Sequence, residues 1–119
     1  MRWDIEYTDA FDSWWQSLTQ AEQDSIAVGV RLLEEMGPHL PFPWSSSIVQ
    51  SKHDHMRELR VQHRGKPYRV LCAFDPRRVG PLLLGGDKTG AAKWYSRNVP
   101  LADALYDEHL ITLKHERLR

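Results

Sequence analysis

Two short turns between three strand-like segments constrain this chain more than any other feature. Met56–Gln62 alternates, with Leu59 and Val61 on one face and Glu58, Arg60 and Gln62 on the other. His63-Arg64-Gly65-Lys66-Pro67 reads as a turn, Tyr68–Phe74 as a second strand, Asp75-Pro76-Arg77-Arg78 as another tight turn and Val79–Leu84 as a third strand. The apolar period is two, and turn formers stand between the runs. Parallel neighbours need a crossover of a dozen or more residues. These connections are too short for that, so the three strands form an antiparallel meander. The nearly continuous apolar run Val79–Leu84 predicts a central strand covered on both faces. Gly85–Gly90 is expected to end the sheet in a polar loop.

The segments before and after the meander supply the cover. Trp3–Tyr7 alternates like a half-buried strand. Phe11, Trp14, Trp15 and Leu18 recur at helical spacing. That spacing fits core residues, with partner anchoring as the alternative for the two tryptophans. Thr19-Gln20-Ala21-Glu22 has the form of a capping box. The helix after it carries Ile26, Val30, Leu33 and Met36, and Gly37-Pro38 stops it, with Gly37 as a left-handed cap. Residues 38–47 hold three prolines and read as an irregular connection. Asn98 is expected to cap a last helix with Pro100 in its first turn and a stripe of Ala102, Tyr106, Leu110 and Leu113. The reading is one α+β domain over residues 1–119: a strand, a helical hairpin, three antiparallel strands and a C-terminal helix.

The 16 basic and 16 acidic residues cancel, but unevenly along the chain. Residues 1–51 carry two bases against eight acids, a net of −6. Residues 52–97 carry eleven bases against four acids, a net of +7, and the remainder has a net of −1. A basic middle predicts a positive face with an anionic partner, unless the two halves neutralise one another on folding. The lone Cys72 cannot form an internal disulfide and fits a small core residue. No apolar run reaches membrane-span length, and Met1-Arg2-Trp3-Asp4 lacks an apolar signal core, so the chain is read as cytoplasmic.

Few chemistries survive inspection. His53 and His55 flank Asp54 without a second ligand cluster, so no metal site is expected. Gly85–Gly90 lacks the spacing of a nucleotide-binding loop, and no nucleophile elbow is present. What remains is a set of polar side chains on the meander and the loop after it: Glu58, Arg60, His63, Arg64, Lys66, Arg69 and Lys88, then Lys93, Trp94, Tyr95 and Arg97. Cations hold phosphates and aromatics stack on unpaired bases. The same residues also fit a plain cross-strand ion pair, Glu58 with Arg60 or Arg69, and aromatic packing under the sheet. Taken alone they point to an RNA- or phosphate-binding domain. Asp107-Glu108-His109 reads as a solvated helix face.

Glu58-Leu59-Arg60, Tyr68-Arg69-Val70-Leu71, Phe74-Asp75-Pro76, Gly86-Asp87-Lys88 and the tail Pro100–Glu108 resemble, in order and spacing, the RelE/HigB/ParE toxin superfamily and its phage-derived HigB-like branch. The resemblance runs over about residues 3–115. It implies a RelE-like fold and a type II toxin neutralised by a small helix-turn-helix antitoxin, in a toxin–antitoxin hetero-oligomer. It implies an endoribonuclease that cuts mRNA on the ribosome through the substrate's own 2′-OH, with no metal or cofactor. On that resemblance Arg60, Arg69 and Lys88 are candidates for phosphate binding and charge stabilisation. Glu58 or His63 is a candidate base or acid, Lys88 a further candidate base if a cationic neighbour lowers its pKa, and Tyr95 a stacking residue or proton donor. Arg64, Lys66, Lys93 and Arg97 would extend the RNA contact. The His-rich C-terminal end that some HigB proteins use is missing. A ParE-like gyrase inhibitor that acts by binding alone, and an inactive antitoxin-binding relative, remain as alternatives, since one fold serves all three.

Overall fold

The computed structural model describes residues 2–117. β1 (Asp4–Tyr7) leads into α1 (Asp9–Gln16), α2 (Gln20–Met36) and a 3-10 turn at Gly37–His39. β2 (Ser45–Ser47), β3 (Arg57–His63), β4 (Lys66–Cys72) and β5 (Val79–Asp87) follow, and α3 (Trp94–Arg117) ends the order. The strands make one sheet in the order β1-β5-β4-β3-β2. β1 runs parallel to β5, and every other pairing is antiparallel. The α+β class, the helical hairpin, the meander and the C-terminal helix are those the sequence predicts; β5 is an interior strand, but it lies second from the edge beside β1, and β4 takes the centre.

Local chemistry starts and stops these elements. Thr8 caps α1 by accepting the Phe11 N–H at 3.0 Å, and its hydroxyl donates to the Leu83 carbonyl at 2.7 Å, which ties the helix to β5. Thr19 and Glu22 form the predicted capping box on α2. Gly37 closes α2 at φ +55°, with its ψ of −133° extended rather than left-handed helical. Arg64 and Gly65, at φ +49° and +81°, form a two-residue turn of the hairpin-favouring kind, which pairs His63 directly with Lys66. The turn is therefore shorter than expected, and Lys66 and Pro67 belong to β4.

The sheet is covered on both faces. One face packs Leu59, Val61, Tyr68, Val70 and Leu82 against Phe11, Ile26 and Leu33 of the hairpin, with Trp14 and Trp15 partly buried against them. The other packs Leu71 and Leu83 against Trp94, Val99, Ala102 and Tyr106 of α3. β5 holds one extra residue against β4: Leu71 pairs with Leu84 but Cys72 with Leu82. This bulge lets Leu83 and Leu84 both join the α3 cluster.

Three expectations are corrected. β2 lies inside the segment read as irregular. Three serines carry no apolar alternation, and their strand exists only because Ser45–Ser47 pair with Arg57–Leu59. β5 continues through Gly85, Gly86 and Asp87 instead of ending at Leu84. A Cβ would sit 2.2 Å from the Trp14 ring at Gly85 and 2.8 Å from the Trp94 ring at Gly86. The glycines thus let the strand pass between two indoles, rather than marking a loop. Finally, α3 starts at Trp94, which is buried against the sheet, and Pro100 lies inside the helix. The Asn98 side chain does not cap it but donates to the Trp94 carbonyl at 2.8 Å.

Candidate functional site

Alternation along β3 sends Glu58 and Arg60 to the face that α3 covers, and the β3–β4 register sets Arg69 directly opposite Arg60. Like charges at opposed positions repel. Glu58, two residues from Arg60, relieves this: its Oε2 accepts from Arg60 Nη1 at 3.4 Å, and its Oε1 lies 3.4 Å from Arg69 Nε. The Glu58 and Arg69 side chains are each 6% exposed, whereas Arg60 is 27% exposed. A carboxylate this buried must be fully hydrogen-bonded. Ser46 of β2 donates to Oε2 and Tyr95 of α3 to Oε1, both at 2.6 Å. The Tyr95 oxygen in turn accepts from Arg69 Nε at 3.3 Å, and Arg69 Nη1 donates to the Tyr68 carbonyl at 3.0 Å.

Lys88 follows β5 directly. Its backbone N–H donates to the Pro67 carbonyl at 3.0 Å, and Nζ stands 5.2 Å from the centre of the Tyr95 ring. Burial, then the hydrogen bond to Glu58, raises the Tyr95 phenol above its ordinary pKa. Four elements thus contribute to one cluster, β2, β3, β4 and the start of α3, with Lys88 beside it. Two arginines face the single carboxylate and Lys88 lies beside the Tyr95 ring, so the cluster carries two positive charges in excess. Arg60 and Arg69 also line a cleft of about 430 Å³ that opens beside Pro43, Trp44 and Gln62.

The structure brings Glu58, Arg60, Arg69, Lys88 and Tyr95 together and leaves the other candidates apart. His63 points to the opposite face, where Nδ1 lies 2.6 Å from Ser25 Oγ of α2. Lys66, its cross-strand partner, shares that face, and Arg64 is exposed at the hairpin tip. Lys93 and Arg97 are exposed on either side of Tyr95 in sequence. No local sequence signal marks Ser46: its place beside Glu58 depends on β2 pairing with β3.

A second polar cluster lies at the other end of the α3 face. His53 Nε2 is 2.9 Å from Asp107, His55 Nε2 is 3.0 Å from the Tyr106 hydroxyl and His109 Nε2 is 2.8 Å from Asp75. Asp107 also pairs with Lys52. The Asp107–His109 stretch is therefore not a solvated face: two of its three residues bolt α3 to the segments around 52 and 75. No metal-binding group of three or more His, Cys, Asp or Glu occurs among the described residues. Cys72 is buried in the hairpin core, and burial pushes its thiol up to about 12, which suits an inert packing residue. Among the described residues no helix is long and apolar enough to cross a membrane.

Comparison with known proteins agrees with this architecture. The profile of the family described as phage derived protein Gp49-like matches residues 13–107. A putative toxin HigB3 of Mycobacterium tuberculosis is 41% identical over 93 residues, 77% of this chain and 80% of that protein. A putative toxin HigB2 of the same organism is 33% identical over 104 residues; the match takes in 86% of this chain but only 52% of the relative. Among solved structures, a chain of the archaeal RelE–RelB complex of Pyrococcus horikoshii superimposes with a TM-score of 0.57 at 17% identity, over 76% of this chain and all of that one. A free E. coli RelE mutant gives 0.57 at 10% identity, over 76% of this chain and 88% of its own.

Proposed function

The chain belongs to the phage-derived Gp49-like family within the RelE/HigB toxin superfamily, and on that premise we propose that it is the toxin of a toxin–antitoxin pair that cleaves mRNA on the ribosome. The observation that carries the proposal is the cluster of Glu58, Arg60, Arg69, Tyr95 and Lys88, cationic in sum and open at Arg60. A binding-only inhibitor has no need of a buried carboxylate held against two arginines and a phenol, with a lysine beside the phenol ring. The proposed partner is an antitoxin, as in the RelE–RelB complex from Pyrococcus horikoshii and the RelBE complex from E. coli.

The proposed chemistry needs no cofactor. Arg60 and Lys88 hold the non-bridging oxygens of the scissile phosphate and stabilise the charge of the phosphorane. The Tyr95 hydroxyl passes its proton to Glu58 as it takes the proton of the attacking 2′-OH. The 2′-oxygen bonds to phosphorus, the bond to the 5′-oxygen breaks, and Lys88 gives that oxygen a proton. The products are a 2′,3′-cyclic phosphate and a 5′-OH end. Arg69, buried and committed to Glu58 and Tyr95, positions both. His63, on the other face, takes no part in this step.

The test is to express the protein without antitoxin and map new 5′ ends in cellular mRNA. The expected result is 5′-OH ends within translated frames, lost in a folded Arg60→Ala, Lys88→Ala variant. Growth arrest without new ends would move the assignment to a target other than RNA, such as gyrase.

A further inference from the structure

The segment between α2 and β2, which the nuclease reading does not use, carries two bare aromatic rings next to its phosphate-binding arginine. Phe42 is 68% exposed and Trp44 45%. Neither is loosely held. Leu40 is buried, and its carbonyl accepts from Arg57 Nη2 at 3.1 Å. The N–H groups of Trp44 and Ser45 both donate to the Pro41 carbonyl, and the Trp44 carbonyl accepts the Arg60 N–H at 2.8 Å. A turn pinned at both ends thus presents both rings to solvent. The Arg60 guanidinium lies 4.9 Å from the centre of the Phe42 ring, and Trp44 walls the cleft that Arg60, Arg69 and Gln62 also line.

Large apolar rings left in water are costly unless something covers them. Their cover must tolerate a guanidinium alongside. A nucleotide does so, because its base stacks on rings and its phosphate pairs with arginine. We propose that Phe42 and Trp44 form a stacking subsite for one unpaired base of a single-stranded RNA. That base belongs to a nucleotide adjoining the phosphate held at Arg60, and the Gln62 amide, on the exposed part of β3, faces the base edge. This inference rests on the proposal that the Arg60 cluster binds RNA.

The test is fluorescence polarisation of the purified protein with a 5′-labelled hexaribonucleotide, comparing the native chain with Phe42→Ala/Trp44→Ala, Trp44→Phe and Arg60→Ala/Lys88→Ala. Both rings are surface side chains, and matching thermal melts would show that the variants fold. Stacking on a base predicts about ten-fold weaker binding for the double aromatic variant. Trp44→Phe should keep most of the affinity, and an oligomer abasic at every position should bind native and aromatic variant alike. Unchanged binding by the aromatic variant, with loss in Arg60→Ala/Lys88→Ala, would overturn the subsite, leave the RNA reading standing and assign the rings to a protein partner. No binding by the native chain would overturn the subsite, and the 5′-end mapping would then decide the RNA reading on its own.

Discussion

Glu58 and Arg69 show how a residue of the proposed site is also a structural liability. Each is almost wholly buried, and each is tolerable only because the other, with Ser46 and Tyr95, satisfies it. Removing one member strands the other charge away from water, which costs about 3–5 kcal/mol. Arg69→Ala should therefore lower the unfolding free energy in urea by that order, far more than Arg60→Ala, whose side chain is partly solvated. Equal, small losses for both would mean that Glu58 and Arg69 are less enclosed than described. Tyr95→Phe keeps the ring and removes only the hydroxyl. It should leave the fold nearly as stable, at a cost of about 1–2 kcal/mol, yet abolish mRNA cleavage if the phenol relays the proton. A Tyr95→Phe protein that still produced new 5′-OH ends would remove Tyr95 from the proposed chemistry.

At the scale of elements, local and non-local causes divide cleanly. α2 is specified from within: Thr19 accepts the Glu22 N–H at 3.2 Å, and Glu22 returns the bond to the Thr19 N–H at 2.8 Å. Thr19→Ala should cost about 1 kcal/mol, read as a lowered midpoint with an unchanged slope in a denaturant titration. A change in slope would instead point to an altered unfolded state. α3 is held differently. Its docking depends on Trp94, Val99, Ala102 and Tyr106 in the core and on Asp103, Asp107 and His109 at its rim. Since Tyr95 reaches Glu58 only when α3 is seated, the polar bolts at residues 103–109 help place the site from its far end.

Across the whole molecule, several carboxylates hold their protons weakly, and this sets an acid limit on stability. Hydrogen bonds from Tyr68 and then Thr19 bring Glu22 down to about 2. Burial pulls the Asp75 carboxyl upward, but bonds from Arg77, His109 and the Val79 N–H outweigh it, so its pKa falls below the ordinary value. A bond from Lys52 does the same for Asp107. A group with a depressed folded pKa stabilises above its unfolded pKa, and that contribution is lost as pH falls through the folded value. The melting temperature should therefore be flat from neutral pH down to about 5 and fall between about 4 and 2. Asp75→Asn should melt lower at neutral pH and lose less on acidification. A parallel acid decline in native protein and variant would show that Asp75 is not among the groups responsible.

What the sequence by itself determined is whatever depends on neighbours along the chain. Period-two runs, the Thr19 capping box and the two turns specify the meander and the second helix, since each is an interaction over a few residues. Alternation also places Glu58 with Arg60 and sends His63 to the other face. Grouping His63 with them follows only if it is read as a turn residue, whereas it is the last paired residue of β3. Only the tertiary structure decided the rest. β2 exists by pairing with β3 across ten or more residues, and that pairing alone brings Ser46 to Glu58. The early start of α3 comes from burying Trp94 against a glycine strand, which carries Tyr95 and Lys88 to the two arginines. Such contacts join segments far apart in sequence, and no local periodicity encodes which surfaces will meet.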